Sequence, residues 1–235
     1  MLSLCILETD HLRPELVDEF HGYGRMFQQL FERQPIPVRV TVCNVVDGEY
    51  PPDDQHFDAY LITGSKADAF GDAPWIAVLR DYLLQRYRAG DKLLGICFGH
   101  QLLALALGGE CGRSEQGWGL GVHHYQVLEQ QPWMTPKQDG FDLLVSHQDQ
   151  VSALPPGAQL LASSPFCPMA AYRIGDQVLC FQGHPEFVEP YAQGLLDLRR
   201  GVYGEDLYGQ ATASFKNGND GALIAQWMLQ FLTQP

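Results

Sequence analysis

Cys97 lies in the segment Gly95-Ile96-Cys97-Phe98-Gly99, between a short apolar run and the start of a helical pattern. Glycine two positions before and two after the cysteine allows a strand to turn sharply into a helix, because a β-carbon at either position would collide with neighbouring backbone. Such a turn lifts the thiol into the open at a helix N-terminus, where unpaired N–H groups and the helix dipole favour a thiolate. The spacing predicts a nucleophilic cysteine; the alternative is a small, buried hydrophobic residue.

A second polar segment, Gln182-Gly183-His184-Pro185-Glu186, directly follows the apolar run at residues 177–181. A thiol that attacks a carbonyl carbon needs a base to accept its proton, and the base needs a carboxylate or carbonyl group to fix its tautomer and orientation. His184 and Glu186 are residue types that fill these two roles, and Pro185 stiffens the backbone between them. The alternative is a loop histidine followed by a proline in the first turn of a helix.

The order of these residues separates two folds that share a sharp strand-to-helix turn at the nucleophile. In an α/β-hydrolase the acid precedes the histidine in the chain, whereas Glu186 follows His184 by two positions. The order therefore argues against an α/β-hydrolase and for a different fold with a Cys97, His184 and Glu186 triad.

The segments Gly95–Gln101 and Gly183–Glu186 resemble the class I (triad) glutamine amidotransferases, and the similarity extends over nearly the whole chain. Residues 62–65 (Ile-Thr-Gly-Ser) resemble the oxyanion loop of that family. Residues 145–149 (Val-Ser-His-Gln-Asp) resemble the Ser-His-x-Asp segment of the GMP-synthetase glutaminase domains. Within the family, residues 64–71 are most similar to the stand-alone γ-glutamyl peptidases and related amidotransferases.

The resemblance implies an enzyme whose cysteine attacks a γ-glutamyl amide and forms a γ-glutamyl thioester, with no metal ion and no organic cofactor. Backbone N–H groups are expected to bind the oxyanion, and further residues are expected to hold the glutamyl group. The expected oxyanion-hole residues are Gly64, Ser65 and Phe98. The expected substrate-binding residues are Gln101, Gly119, Leu120, Gly121, His147 and Asp149. For Gln101 the alternative is an ordinary helix residue, and for His147 and Asp149 it is the polar end of a strand.

Apolar runs alternate with helical segments in the first half of the chain, which predicts a mostly parallel sheet with helices on both faces. From residue 119 onward strand follows strand, which predicts an antiparallel extension of that sheet. The predicted strands are residues 2–8, 38–46, 60–62, 92–96, 121–128, 142–146, 159–163, 169–173 and 178–182. The predicted helices are residues 14–31, 72–88, 98–107, 188–201 and 220–233, with a polar loop between the last two. This is the flavodoxin-like, three-layer α/β architecture that the resemblance implies.

The length and composition of the chain limit the classes of protein to which it can belong. A chain of 235 residues can form one α/β domain with a large core, and we expect a single domain over residues 1–235. No apolar run approaches the roughly 20 residues of a membrane span, and the first residues reach Glu8 without a basic flank, so a cytoplasmic protein without a signal peptide is expected. The six cysteines show no CxxC spacing, which indicates reduced thiols without zinc or disulfides.

Three functions are compatible with these patterns. One is a glutaminase that passes ammonia to a separate synthetase subunit, and another is a partner-free γ-glutamyl peptidase that acts on small γ-glutamyl peptides or conjugates. The third is a catalytically silent regulatory or binding protein on the same fold, which the joint presence of the three triad residues disfavours. The formal net charge of −13 disfavours nucleic acid and anionic membranes as partners.

Overall fold

The computed structural model describes residues 1–234 and contains eleven strands and seven α-helices in that range. The strands are β1 (Leu2–Glu8), β2 (Val38–Asn44), β3 (Ala59–Ile62), β4 (Lys92–Ile96), β5 (Glu110–Arg113), β6 (Gly119–Val127), β7 (Gly140–His147), β8 (Asp149–Ala153), β9 (Ala158–Ser163), β10 (Ala171–Ile174) and β11 (Val178–Phe181). The helices are α1 (Pro14–Phe20), α2 (Tyr23–Glu32), α3 (Pro74–Ala89), α4 (Phe98–Ala106), α5 (Glu189–Tyr203), α6 (Glu205–Ser214) and α7 (Gly221–Leu232). Within residues 1–234, no helix combines the length and the apolar character that a membrane span requires.

Nine of the strands form one sheet in the order β2-β1-β3-β4-β11-β10-β9-β6-β7. The five strands from β2 to β11 pair in parallel. The remaining four strands continue the sheet with antiparallel pairing. The predicted parallel sheet with an antiparallel extension is therefore confirmed.

The alternation of side chains along β1 shows how the layers form. Leu4 and Ile6 pack with apolar residues of α2 and α7 on one face of the sheet. Cys5 and Leu7 point to the other face, where they pack with α3 and α4. A further apolar cluster joins α1, α5 and α6 to β6 and β7 in the antiparallel part of the sheet. The result is a central sheet covered on both faces.

The register of the central strands brings the predicted functional segments to one edge of the sheet. Ile62 of β3 lies opposite Gly95 of β4, and Ile96 of β4 lies opposite Phe181 of β11. Because these strands are parallel, the chain leaves all three at the same edge. In open α/β sheets, ligands bind in the crevice outside the carboxyl ends of such strands.

Some elements differ from the prediction. The helix predicted at residues 14–31 is divided into α1 and α2, because His21 adopts a left-handed φ of 64° and the following Gly22 has a φ of 153°. The strand predicted at residues 38–46 ends at Asn44, where residues 45–47 form a 3-10 turn whose N–H at Asp47 is capped by the Asn44 side chain.

The sequence did not predict the two-stranded sheet of β5 and β8 or helix α6. The segment of α6 was expected to be part of a polar loop, because its sequence carries little apolar periodicity. Contact with β6 stabilises the helix instead: the N–H of Val122 donates to Ser214 Oγ over 2.8 Å. Gly121 permits this approach, since it has a φ of 79° and a β-carbon there would collide with Ser214.

His100, a buried histidine in α4, makes the stability of the fold depend on pH. His100 is fully buried, and burial, together with the nearby His147, lowers the pKa of His100 from 6.5 to about 3. Between those two pH values the unfolded chain binds a proton that the native protein does not, so the free energy of unfolding falls as the pH falls. One such group contributes a slope of at most about 1.4 kcal/mol per pH unit.

We expect the substitution His100→Gln to remove this contribution. Urea denaturation of both proteins at several pH values between 4 and 6.5 measures the slope of the unfolding free energy against pH. The slope of the variant is expected to be shallower by up to the contribution of one bound proton. This comparison of slopes does not depend on the stability of the variant at pH 7. Equal slopes would contradict a neutral His100 in the fold.

Candidate active site

The turn between β4 and α4 holds Cys97 in a conformation that is rare outside glycine, with a φ of 51° and a ψ of −99°. A β-carbon on Gly95 would lie 2.8 Å from the backbone of Gly99, and one on Gly99 would collide with the carbonyl oxygen of Ile62. The two glycines thus permit the close backbone approach that the spacing predicted. Strain of this kind costs of order 1–3 kcal/mol and occurs mostly at functional sites.

Cys97 is less open than the sequence indicated. The residue is only 5% exposed, because the thiol lies at the bottom of a pocket rather than on the outer surface. It remains at the N-terminus of α4, as predicted, and it lines the pocket that we call the Cys97 pocket.

His184 and Glu186 form a buried pair beside the cysteine. His184 Nδ1 lies 2.7 Å from Glu186 Oε1, and the two residues are 3% and 2% exposed. Phe187 stacks on the imidazole with ring centroids 3.8 Å apart. The backbone N–H of His184 donates to the carbonyl oxygen of Leu144 in β7 over 2.9 Å. Because the carboxylate accepts a hydrogen bond from the Nδ1–H group, the other ring nitrogen, Nε2, is available to Cys97.

The charges around His184 favour its protonated form. Burial alone lowers the pKa of His184, but the charges of Glu186 and Cys97 and hydrogen bonds to both residues raise it from 6.5 to about 10. The structure thus brings together the three side chains that the sequence predicted, with the imidazole between a sulfur atom and a carboxylate.

In the part of the chain that the structure describes, three backbone N–H groups in the segments next to Cys97 and His184 have no backbone acceptor. Within residues 1–234, the N–H groups of Gly64, Ser65 and Phe98 donate to no other backbone group. Phe98 is the first residue of α4, where N–H groups have no acceptor within the helix. Thr9 fixes the neighbouring loop, since its hydroxyl donates to the carbonyl oxygen of Gly64 over 2.9 Å. A β-carbon on Gly64 would lie 2.5 Å from Cε1 of His184, so this loop lies directly against the imidazole.

Three of the predicted substrate-binding residues, Gln101, His147 and Asp149, line the Cys97 pocket. The Gln101 side chain donates to the carbonyl oxygen of Asp149 over 2.9 Å and to Gln182 Oε1 over 3.1 Å. His147 Nδ1 lies 3.1 Å from the same carbonyl oxygen of Asp149. These contacts hold the Gln101 and His147 side chains against the backbone of Asp149 at the wall of the pocket.

The other three predicted residues lie differently. Gly119 is close to Phe166 and to Nε2 of His147, whereas Leu120 is buried in the apolar cluster beneath α5 and α6. Gly121 packs against α6. None of the three lines the Cys97 pocket, although the preceding residue, Trp118, does.

Arg113 and Asp68 also line this pocket; the sequence patterns did not identify Arg113, and they included Asp68 only within the segment 64–71 that resembles the γ-glutamyl peptidases. Arg113 Nε lies 2.9 Å from Asp149 Oδ1, and Arg113 Nη2 lies 3.1 Å from both carboxylate oxygens of Asp68. Burial, and next the hydrogen bond and charge of Asp68, raise the pKa of Asp149 to about 6, against the opposing effect of Arg113. One guanidinium therefore bridges two carboxyl groups at the pocket wall.

A second pocket, which we call the His184 pocket, is lined by His184 and adjoins the Cys97 pocket. It shares four lining residues with the Cys97 pocket: Ser65, Lys66, Ser146 and Arg199. No sequence pattern distinguishes Arg199, because it is one of two consecutive arginines in an amphipathic helix. Across residues 1–234, no cluster of His, Cys, Asp or Glu side chains is arranged to hold a metal ion.

Comparison with known proteins agrees with this geometry. Residues 74–195 match the family described as glutamine amidotransferase class-I. γ-Glutamyl peptidase 3 from Arabidopsis thaliana is 36% identical over 176 residues, which cover 72% of this chain and 70% of the relative. The glutamine-hydrolysing GMP synthase of Aeropyrum pernix is 40% identical over 97 residues, 41% of this chain and 19% of that enzyme. A glutamine amidotransferase from Thermotoga maritima superimposes with a TM-score of 0.77 at 16% identity, covering 99% of this chain and 98% of that one, which shows a shared fold. The chain belongs to the class I glutamine amidotransferase family.

Proposed function

We propose that this enzyme hydrolyses γ-glutamyl amides with Cys97 as the nucleophile. The observation that carries the proposal is the buried His184–Glu186 pair, in which the carboxylate lies 2.7 Å from the imidazole, beside Cys97, whose charge acts on the same imidazole. A nucleophile, its base and a residue that orients the base are the minimum set for covalent hydrolysis of an amide. The same arrangement argues against a catalytically silent protein.

In the first half of the reaction, Nε2 of His184 holds the proton of the Cys97 thiol and the sulfur adds to the γ-carbonyl carbon. The carbonyl oxygen becomes an oxyanion, which accepts hydrogen bonds from the N–H of Phe98 and from that of Gly64 or Ser65. One such donor typically lowers the barrier by about 3–4 kcal/mol. His184 then gives its proton to the amide nitrogen, the carbon–nitrogen bond breaks and the amine leaves.

In the second half, a γ-glutamyl thioester on Cys97 reacts with water. His184 accepts a proton from the water molecule as its oxygen adds to the thioester carbon. The carbon–sulfur bond then breaks, glutamate is released, and the proton returns to the Cys97–His184 pair. The balance is one water molecule consumed for each amide bond broken.

Two substrates are compatible with this chemistry, and we favour γ-glutamyl peptides or conjugates, hydrolysed without a partner subunit. The γ-glutamyl peptidase of Arabidopsis matches 72% of this chain, whereas the GMP synthase matches 41%. The second candidate is a glutaminase that supplies ammonia to a separate synthetase. The observation in its favour is the Ser146, His147 and Asp149 segment at the Cys97 pocket, which resembles the GMP-synthetase glutaminase domains.

In either case, we assign the glutamyl group to the Cys97 pocket. Gln101, His147 and Asp149 line this pocket and hold one another in place. The backbone of residues 119–121 is the further candidate for contacts with the two charged ends of the glutamyl group.

We also propose that the chain is a single domain. The central sheet takes strands from the first residues to Phe181, and α7 packs with α2 in the same apolar cluster. The Lys92 ammonium of β4 donates to the carbonyl oxygens of Phe231 and Leu232 at the end of α7. One core therefore connects the early and late parts of the chain.

The triad predicts a defined pattern of activity among variants. Cys97→Ala is expected to abolish glutamate release from γ-glutamyl dipeptides. His184→Gln is expected to reduce kcat by a factor of about 10³ or more. Glu186→Gln is expected to reduce kcat less, and the Cys97→Ala/His184→Gln double variant is expected to be no worse than Cys97→Ala, because residues that act as a unit are not additive. Cys111→Ala, at a partly exposed cysteine outside the Cys97 pocket, is the control. Full activity of Cys97→Ala would rule out the mechanism.

The contact of Gly64 with the imidazole gives a second test. Gly64→Ala places a methyl group 2.5 Å from Cε1 of His184 and is expected to displace the ring. A displacement near 1 Å costs about 100-fold in turnover, so kcat is expected to fall by that order while far-UV circular dichroism is unchanged. Gly112→Ala is the matched control, because a β-carbon there meets no atom within 4 Å. A Gly64→Ala variant with wild-type kcat would show that the ring position does not matter.

A further inference from the structure

The His184 pocket contains two guanidinium groups, those of Arg13 and Arg199. Within residues 1–234, neither forms an ion pair with a carboxylate. The other cations of this pocket are paired, since the Lys66 ammonium lies 2.7 Å from Asp10 Oδ1 and His184 Nδ1 lies 2.7 Å from Glu186 Oε1. Asp10 is the carboxylate that lines the pocket, so two positive charges remain without a counter-charge.

Arg199 is held in place by aromatic rings instead of by an acid. Its guanidinium carbon lies 4.5 Å from the ring centroid of Trp118 and 5.2 Å from that of Tyr203. Stacking of this kind fixes the plane of the guanidinium but leaves its N–H groups free to donate. A fixed guanidinium with free donors matches the two oxygens of a carboxylate.

The position of the two pockets relates these charges to the reaction. The Cys97 sulfur lines one pocket and His184 lines the other, and Arg199 lies on their shared wall. Under the proposed function, His184 gives its proton to the departing nitrogen. The part of the substrate attached to that nitrogen must therefore lie on the His184 side, opposite the glutamyl group.

We propose that Arg13 and Arg199 bind the α-carboxylate of the departing amino acid, so that the substrates this enzyme prefers are γ-glutamyl amino acids and not glutamine. This inference rests on the proposed hydrolysis of γ-glutamyl amides and names its substrate class. Glutamine releases only ammonia and gains nothing from these two residues. Tyr23, Phe187 and Tyr191 also line this pocket, and their uncharged aromatic rings are expected to tolerate different departing side chains.

Two substrates that differ only in charge provide the test. We compare kcat/KM for γ-glutamylglycine and for γ-glutamylglycinamide, in which a carboxamide replaces the carboxylate, with glutamine as a third substrate. The wild-type enzyme is expected to favour γ-glutamylglycine by about 10- to 100-fold, the range for a hydrogen bond to a charged group. Arg199→Gln and Arg13→Gln are each expected to reduce that preference, because kcat/KM falls more for γ-glutamylglycine than for the carboxamide or for glutamine, and Arg199→Lys is expected to restore part of it.

Arg200→Gln is the matched control. Arg200 follows Arg199 in α5, but its guanidinium pairs with Glu205 and lines neither pocket. This variant is expected to keep the wild-type preference. Because Arg13 is exposed, Arg13→Gln tests the inference even if loss of the Arg199 stacking unfolds the protein.

The possible results separate this inference from the proposed function. Equal kcat/KM for the two glycine compounds in the wild-type enzyme would overturn the inference and leave γ-glutamyl hydrolysis intact. An equal loss for all three substrates in Arg199→Gln would overturn it as well, because the guanidinium would then serve the shared glutamyl group. Absence of any hydrolysis would contradict the proposed function. Calorimetric binding of the two glycine compounds to Cys97→Ala then decides the inference without turnover: tighter binding of the carboxylate supports it, and equal binding overturns it.

Discussion

The site depends on the close approach of three backbone segments at the start of α4. Gly95, Gly99 and the carbonyl oxygen of Ile62 lie so near one another that no β-carbon fits between them. Cys97 between them takes a positive φ, which sets the direction of its Cα–Cβ bond at the N-terminus of α4. Because Ile62 belongs to β3 and Gly95 to β4, the same contact holds the Gly64 loop beside the cysteine. The direction of the nucleophile and the nearby N–H groups thus have one structural cause.

Burial of His184 and Glu186 lowers the stability of the fold, because burying a charged pair costs several kcal/mol of desolvation for each ion. The antiparallel extension of the sheet provides the burial and part of the compensation. The N–H of His184 donates to Leu144 of β7, and Phe187 covers the imidazole. A pair of apolar side chains would fill this space at lower cost in free energy. We infer that the pair is kept for proton transfer and not for stability.

The sequence predicted the features that short segments determine, and it missed those that arise from distant parts of the chain. The turn at Cys97 follows from two glycines and an apolar run, and the central sheet follows from alternating strands and helices. The apolar periodicity of helix α6 is weak. The helix forms because it packs against Gly121 of β6 and because its Ser214 accepts a hydrogen bond from the N–H of Val122. Arg199 is indistinguishable in sequence from Arg200, and only the fold places Trp118 against one of them.

The charge of the protein and the charge of its site have opposite signs, and distance decides which one a bound substrate experiences. The net charge of −13 repels anions at long range, but at physiological salt this field is screened beyond about 8 Å. Inside the His184 pocket, contact with a guanidinium involves separations near 3 Å and fixed donors. The overall repulsion therefore affects mainly the rate at which anionic substrates arrive. Selection among γ-glutamyl compounds depends on the local guanidinium groups, which act after the substrate has entered the pocket.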